Sequence, residues 1–477
     1  MQNYKMLIGG KWVEGVSGRT FSALNPATEE EIARVPLAGQ EDIDRAVEAA
    51  QKASLVWAKK SPAERSDILY HIVEIIDANA KELVEVEILS HGTPVNVARG
   101  SVGGLSQLFK YAAQTSRSLM GQVIPSSRKD KLFYLQVEPR GVCALIVAWS
   151  SPIISTTKKL VAALATGNTC VIKPPSSCSL SILKLIEIIE KAGLPPGTIN
   201  VITGPGESVG QVLAAHPGID MISFTGSCET GKQIMSVASK TVKPLQLELG
   251  GKNPCIMFED IDLDTAVAKS LPASFNNTGM VCACIGRYYL HEKIYDKFVE
   301  KFVAGTEKIV VGDPGDEKTT MGPVVSSEHR DRIYNYIQSG IDEGAKLVFG
   351  GKRYKDPPLN KGYFVMPTIF TEVTQQMKIA REEIFGPVAC FIKFSSKDDL
   401  IGLANDTKTG LCASIWTQNT QKAISMANEI QAGTIWINDH LVLPIEIPWG
   451  GFKESGFGKE NSVMGLEEYV RYKLIGI

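Results

Sequence analysis

Two side chains in this sequence offer complementary chemistry. Cys282 lies in Asn277-Thr278-Gly279-Met280-Val281-Cys282-Ala283-Cys284-Ile285-Gly286-Arg287, and Glu248 lies in Leu247-Glu248-Leu249-Gly250-Gly251-Lys252-Asn253-Pro254. A thiolate attacks an electrophilic carbon far better than a hydroxyl near neutral pH, and a carboxylate close by can activate water or the thiol itself. Most free cysteines are small buried hydrophobes, and most of the nine here are read that way. Cys282 stands apart because an Asn, a Gly and small neighbours let the backbone approach a ligand closely. The cysteines are scattered, odd in number and without a Cys-x-x-Cys pair, which argues against a disulfide framework and gives zinc little support, so no metal site is expected. The six dispersed histidines form no local Ser-His-Asp pattern.

The elements that must position these groups are legible as alternation. Residues 41–58 and 62–89 read as amphipathic helices, with stripes of Ala46, Val47, Ala50, Ala53 and Val56, and then Leu69, Ile72, Val73 and Ile76. From Gly141 the pattern changes to short apolar strand runs (141–148, 169–173, 199–202, 221–224) separated by helical stretches (156–166, 180–192, 210–216). That order implies right-handed βαβ units and a parallel, doubly wound sheet. A second alternating series follows Gly251, with strands at 255–258 and 288–291 and helices at 262–275 and 293–309. The fold class expected is α/β, with two doubly wound Rossmann-like domains. The stretch 121–139 interrupts the first series, and the tail from Leu466 is extended in character.

Length and charge narrow the field. A chain of 477 residues with 44% apolar content should build two or three globular domains. A formal net charge of −2 without a basic run gives nucleic acid or a membrane surface no field to follow. No apolar run reaches membrane-spanning length and the first residues show no long apolar signal core, so a cytoplasmic protein is the expectation.

Two glycine segments follow strands: Thr203-Gly204-Pro205-Gly206, and Phe224-Thr225-Gly226-Ser227-Cys228-Glu229-Thr230-Gly231. The second stands between a strand and a helix, where bare N–H groups and the helix dipole can receive a pyrophosphate. Lys173 ends an apolar strand at the edge where such sheets bind nucleotides.

Together these blocks resemble the aldehyde dehydrogenase superfamily, from about Trp12 to the C-terminus. The resemblance implies that Cys282 adds to an aldehyde carbon, that hydride leaves for a nicotinamide cofactor, and that Glu248 activates the water that releases a carboxylic acid. It assigns cofactor contacts to Trp149, Lys173, Ser176, Gly206, Gly226, Ser227, Gly231, Leu249, Glu383 and Phe385. It implies a dinucleotide-binding domain over 1–120 and 140–250, a catalytic domain over 251–448, and strands at 121–139 and 465–477 that form a small oligomerisation β-sheet in a homodimer or homotetramer. Glu248 favours hydrolysis over transfer of the acyl group to coenzyme A.

The departures from the family pattern are informative. The family's Lys-Pro-Ser-Glu block is here Lys173-Pro174-Pro175-Ser176, and the missing Glu removes repulsion against a 2′-phosphate, so NADP+ is expected to be accepted alongside NAD+. The family's oxyanion Asn is replaced by Ser150 in Ala148-Trp149-Ser150-Ser151-Pro152. One lost oxyanion donor can cost about 10²–10³ in rate. Ser151, Ser155 and Lys158 replace residues often aromatic or large and apolar in members acting on neutral aldehydes, and Leu443 belongs to an apolar wall with Leu441 and Ile445. A cation at Lys158 resembles members that act on carboxylate-bearing aldehydes. The segment Asn438-Asp439-His440, with Pro448-Trp449-Gly450-Gly451, instead resembles members that handle aminoaldehydes or betaine aldehyde. An anionic semialdehyde is the first expectation and an aminoaldehyde or neutral aldehyde the second. A catalytically weak binding or structural member of the fold is the alternative that Ser150 favours.

Overall fold

The computed structural model describes residues 2–477. Its first large sheet has a parallel centre in the order Leu245–Glu248, Met221–Thr225, Val142–Ile146, Thr169–Lys173, Ile199–Val201. The strands 142–146 and 169–173 are buried at every position, which is why they read as unbroken apolar runs rather than alternating ones. Strand order reverses between 142–146 and 221–225, and the crevice at the carboxyl ends of that pair is where open α/β sheets bind ligands. Antiparallel strands extend both edges: Met6–Ile8 and Lys11–Val13 on one side, Gly456–Phe457 on the other.

The second sheet runs Lys346–Phe349, Thr368–Thr371, Val388–Phe394, Ile285–His291, Asn253–Met257, Cys412–Trp416, Thr434–Ile437, parallel except at its first pair. A three-stranded antiparallel sheet of Gln122–Ile124, Phe133–Pro139 and Val470–Gly476 stands apart from both. Several expectations shift: Val56 is exposed, and the buried stripe of Gln40–Trp57 ends instead on Trp57. The helix expected over 62–89 is two helices, Pro62–Ala78 and Ala80–His91, because Asn79 leaves helical geometry at φ −115°, ψ 15°. The extended tail expected from 465 begins only at Val470, since Ser462–Glu467 is helical. A long helix, Val95–Thr115, buries Ala98, Val102, Leu105, Phe109 and Ala112 on one face and was not anticipated from the sequence. Gln2–Asn3, Glu31–Pro36 and Thr20–Leu24 form a further small sheet, also unanticipated.

Candidate active site

The reversal in strand order opens a cleft of about 300 Å³ between the two large sheets. Trp149 and Ser150 line it from the loop after strand 142–146, Gly226 and Ser227 from the loop after 221–225, and Glu248, Leu249 and Gly250 from the end of 245–248. Cys282, Glu383 and Phe385 line it from the second α/β unit. Residues far apart in sequence thus meet at one crevice.

The loop bearing Cys282 is held by backbone conformations that few residues tolerate. Asn277 and Thr278 sit at φ 48° and 57°, followed by Gly279 at φ 71°. A Cβ on Gly279 would collide with the Gly386 backbone, so glycine is required there on two counts. The Asn277 amide donates to the Ser150 carbonyl at 2.6 Å, and the Thr278 hydroxyl to the Gly322 carbonyl at 3.0 Å. The Cys282 side chain is partly exposed to the cleft. Burial, followed by the nearby carboxyls of Glu383 and Glu248, pushes its thiol up to about 12, while Lys158 opposes them.

Glu248 is buried, with both carboxyl oxygens lacking a hydrogen-bond partner. Burial and the charge of Glu460 raise its pKa well above the carboxylate range. Its Oε1 lies beside Gly450, where an added Cβ would meet the Gly458 carbonyl at 2.5 Å and Glu248 Oε1 at 3.1 Å, so this glycine is set by the Gly458 backbone before the acid. Glu460 is buried 2.7 Å from Lys159 Nζ and 3.9 Å from Lys158 Nζ, and the two ammonium groups hold it ionised. Sequence reasoning missed Glu460, which nothing in its surroundings from Gly456 to Asn461 distinguishes as buried.

The Glu383 carboxyl accepts from the Gly251 N–H at 3.0 Å, and burial lifts it to about 7. A side chain on Gly250 would strike Glu383 Oε2, so the paired glycines after Glu248 also admit this second carboxyl. Phe385 adopts φ 60° and meets Trp149 edge-on at 5.2 Å. The helix Ser327–Asp342 supplies two cleft residues that the sequence did not flag, His329 and Arg332. His329 Nε2 donates to the Phe385 carbonyl at 2.7 Å, and burial lowers its pKa to about 4, so the ring is neutral with its proton on Nε2. Arg332 donates to the carbonyls of Glu383 and Ile384 at 2.7 and 2.6 Å.

Other expected residues lie outside the cleft lining. Lys173 ends its strand nearly buried, with burial lowering its pKa to about 8, and Ser176 opens a short 3-10 turn beside it. Gly206 begins the turn Gly206–Gly210, with open space where a Cβ would go. Gly231 admits Leu249, whose Cδ1 would stand 2.7 Å from an added Cβ, which makes it a packing glycine. Of the residues that do line the cleft, Ser227 also caps the helix Cys228–Ala238 by accepting from the Thr230 N–H. Ser151 donates to the Ser150 carbonyl at 2.8 Å, and Ser155 sits one turn on in the helix Pro152–Ala165. Lys158 borders a separate hollow of about 20 Å³ with Leu108, Tyr111, Ile445 and Glu460. Leu443 packs on the same apolar cluster of Leu411, Cys412, Trp436 and Trp449 that supports Cys282.

This arrangement suits a thiol nucleophile facing one end of a cleft that could seat a dinucleotide. The Gly226–Ser227 turn supplies a helix N-terminus at the reversal point, Glu383 is a half-buried carboxyl able to accept hydroxyls, and Lys173 waits at a neighbouring strand end.

Comparison with known proteins agrees with the geometry. The model of the aldehyde dehydrogenase family matches residues 12–475. Betaine aldehyde dehydrogenase of Bacillus subtilis is 40% identical over 98% of this chain and 96% of its own length. Aldehyde dehydrogenase 1A1 of Homo sapiens is 39% identical over 100% and 95%. The structure of betaine aldehyde dehydrogenase from Staphylococcus aureus in complex with NAD+ superposes with a TM-score of 0.97 at 36% identity, covering 99% of this chain and 94% of that one. With an unbroken match in sequence and in fold, the chain belongs to the aldehyde dehydrogenase family.

Proposed function

We propose that this protein oxidises an aldehyde to its carboxylic acid with a nicotinamide dinucleotide, using Cys282 as nucleophile and Glu248 as general base. The observation that supports this most directly is the shared cleft, where a thiol and an unpaired buried carboxyl face the crevice at the strand reversal. When bound, the cofactor supplies the hydride acceptor. The Cys282 thiol gives its proton to Glu248 or to solvent as its sulfur bonds to the aldehyde carbon and the carbonyl π pair moves onto oxygen. When that pair re-forms the carbonyl, hydride leaves the carbon and a thioester remains on the sulfur. Glu248 then takes a proton from water as it attacks the thioester, and the acid departs with the thiol restored.

In this reading Trp149, Leu249, Glu383 and Phe385 form the nicotinamide end of the cofactor site, Gly226 and Ser227 receive the pyrophosphate with Gly231 packing their helix against Leu249, and Lys173, Ser176 and Gly206 form the adenosine end. Arg332 and His329 act by fixing the Glu383–Phe385 turn. A carboxylate is absent at Ser176, so both NAD+ and NADP+ serve. The two cofactor segments (1–120 and 140–250) and the catalytic segment (251–448) divide the work at the cleft. The sheet of 122–124, 133–139 and 470–476 joins copies into a homodimer or homotetramer, which accounts for the exposure of Val123, Leu132, Tyr472 and Leu474. A cytoplasmic setting fits nine cysteines that are all free. Among the described residues no helix is long and apolar enough to cross a membrane.

For the substrate, charge decides. Lys158 and Lys159 share one ionised carboxylate, Glu460, while Glu248 is held toward its neutral form. The surplus ammonium favours an aldehyde ending in a carboxylate. The relatives named for betaine aldehyde support an aminoaldehyde as second reading. Against it, the Asp439 carboxylate is already paired with Lys269 at 2.9 Å, and Ser151, Ser155 and Lys158 offer a cation no aromatic face. An aldehyde panel run with NAD+ and NADP+ in parallel tests both points. Lys158→Ala is expected to raise KM for an anionic semialdehyde about tenfold, consistent with loss of a partly desolvated charge pair, and to leave neutral aldehydes within about twofold. Equal KM values for both classes would remove the anionic assignment.

The Ser150 hydroxyl lines the cleft and makes no hydrogen bond to the described residues, while its carbonyl is anchored by Asn277. Ser150→Asn is expected to raise kcat about tenfold or more by restoring an oxyanion donor. A flat result would show that the Cys282 N–H alone, or the serine hydroxyl, already serves.

A further inference from the structure

Each carbonyl from Cys282 to Cys284 is held by a side chain from elsewhere in the fold. Asn253 Nδ2 donates to the Cys282 carbonyl at 2.7 Å and to the Cys284 carbonyl at 2.8 Å. Between them, the Ala283 carbonyl lies 2.7 Å from His440 Nε2 and 3.7 Å from Cys412 Sγ. A carbonyl only accepts, so Nε2 bears the imidazole proton, and Nδ1 becomes the acceptor for the Ser414 hydroxyl beside it. Ser414 belongs to the rigid strand Cys412–Trp416, and Trp436 packs against the imidazole at 4.7 Å. His440 is therefore buried with both nitrogens committed to fixed partners.

The same residue opens the segment that walls the substrate side. Asn438 and Leu441, on either side of it, occupy left-handed conformations at φ 55° and 59°. The Asn438 side chain is bonded in both directions to Thr417, accepting at 2.9 Å and donating at 3.0 Å. Leu441 and Leu443, next along the chain, pack on the cluster that supports Cys282. The turn aims the imidazole inward and the leucines toward the nucleophile.

We propose that His440 is a positioning residue for the nucleophile: it ties the substrate-wall segment to the peptide that follows Cys282 and fixes where the thiol stands in the cleft. The proposal rests on the reading of Cys282 as nucleophile. With Asn253 fixing the flanking carbonyls, His440 supplies the hydrogen bond between that loop and the 438–447 segment. Leucine at 440 would leave the Ala283 carbonyl with only a weak sulfhydryl donor and the Ser414 hydroxyl with no acceptor.

The test compares His440→Leu, His440→Gln and Cys282→Ala in the full-length protein, measuring cofactor Kd, first-turnover NADH formation and steady-state constants. Misplacing a reacting group by about 1 Å can cost about 10²-fold. The leucine variant should lose about 10- to 100-fold in the first-turnover rate and in kcat, with cofactor Kd within about twofold. Glutamine, whose amide N–H can reach the Ala283 carbonyl, should recover most of that loss. Should the leucine variant fail to fold, Ser414→Ala takes its place, with a smaller loss in kcat at unchanged cofactor Kd expected. A normal first-turnover rate in the leucine or Ser414→Ala variant, or a glutamine variant no better than leucine, overturns the positioning role while leaving Cys282 in place. Turnover retained by Cys282→Ala overturns both.

Discussion

Cys282→Ala is expected to lower kcat by about 10⁴-fold or more while the cofactor still binds, because every covalent step of the proposed reaction is lost at once. The neighbouring thiols are poorly placed to take over. Cys284 lines a different hollow, behind the loop, with Lys252, Gly279 and Gly286. Cys412 is buried, and burial raises its thiol well above the ordinary range. The Cys282 thiol itself is pushed up to about 12 by burial and by the carboxyls of Glu383 and Glu248, so without ligands it is protonated at neutral pH. Since the thiolate is the nucleophile, alkylation of the cofactor-free enzyme should be slow near neutrality and accelerate toward alkaline pH, and the alanine variant should lose the modified site. Mass spectrometry of iodoacetamide-treated protein, with NADH absorbance as the measure of turnover, checks both. An alanine variant retaining more than about a tenth of wild-type turnover would move the nucleophile elsewhere.

The sequence made the scaffold legible wherever burial was complete. Strands such as 142–146 and 169–173 are apolar throughout because both of their faces are covered, and their alternation with helices left little choice of topology. The two reactive side chains were legible through their glycine-rich settings, and the structure gives those glycines specific tasks. Gly250 makes room for Glu383, Gly279 for the Gly386 backbone and Gly450 for the Gly458 backbone beside Glu248. What stayed hidden were partners that exist only through long-range packing. His329 and Arg332 lie on a helix that buries Ile333 and Ile337, and they matter because they bond the Glu383–Phe385 turn. Asn253 stands in the Glu248 block, yet its amide donates to carbonyls 29 and 31 residues away. Glu460 is the most instructive case. The sequence shows Lys158 as a cation with no partner nearby, but the carboxylate it shares with Lys159 comes from about 300 residues downstream. A local pattern has no means of registering such a pair, and it changes the substrate argument from one charge to a balance of several.

That balance also governs the second large effect. Glu248→Gln is expected to slow release of the acyl group about 10³-fold while leaving formation of the first NADH largely intact. Glutamine is nearly isosteric, and the native carboxyl is already held toward its neutral form, so the variant should fold with little change in thermal stability. The expected trace is a burst of about one NADH per active site followed by a slow steady state, with the acyl adduct recoverable on Cys282 after acid quench. The base must be ionised to accept a proton from water. Burial and the charge of Glu460 push Glu248 upward, while Lys159, Lys158 and Lys459 pull it down. Its ionised fraction grows as pH rises through that elevated pKa, so the wild-type deacylation rate should climb with pH and the glutamine variant should lose this limb. Lys159→Met would remove the strongest of the cations opposing the upward shift and should displace the limb to higher pH. An unchanged steady state in Glu248→Gln, without accumulated acyl enzyme, would take the base role from this residue. Glu460 would not inherit it, because its carboxylate is bound to Lys159 and held ionised there rather than presented to the cleft.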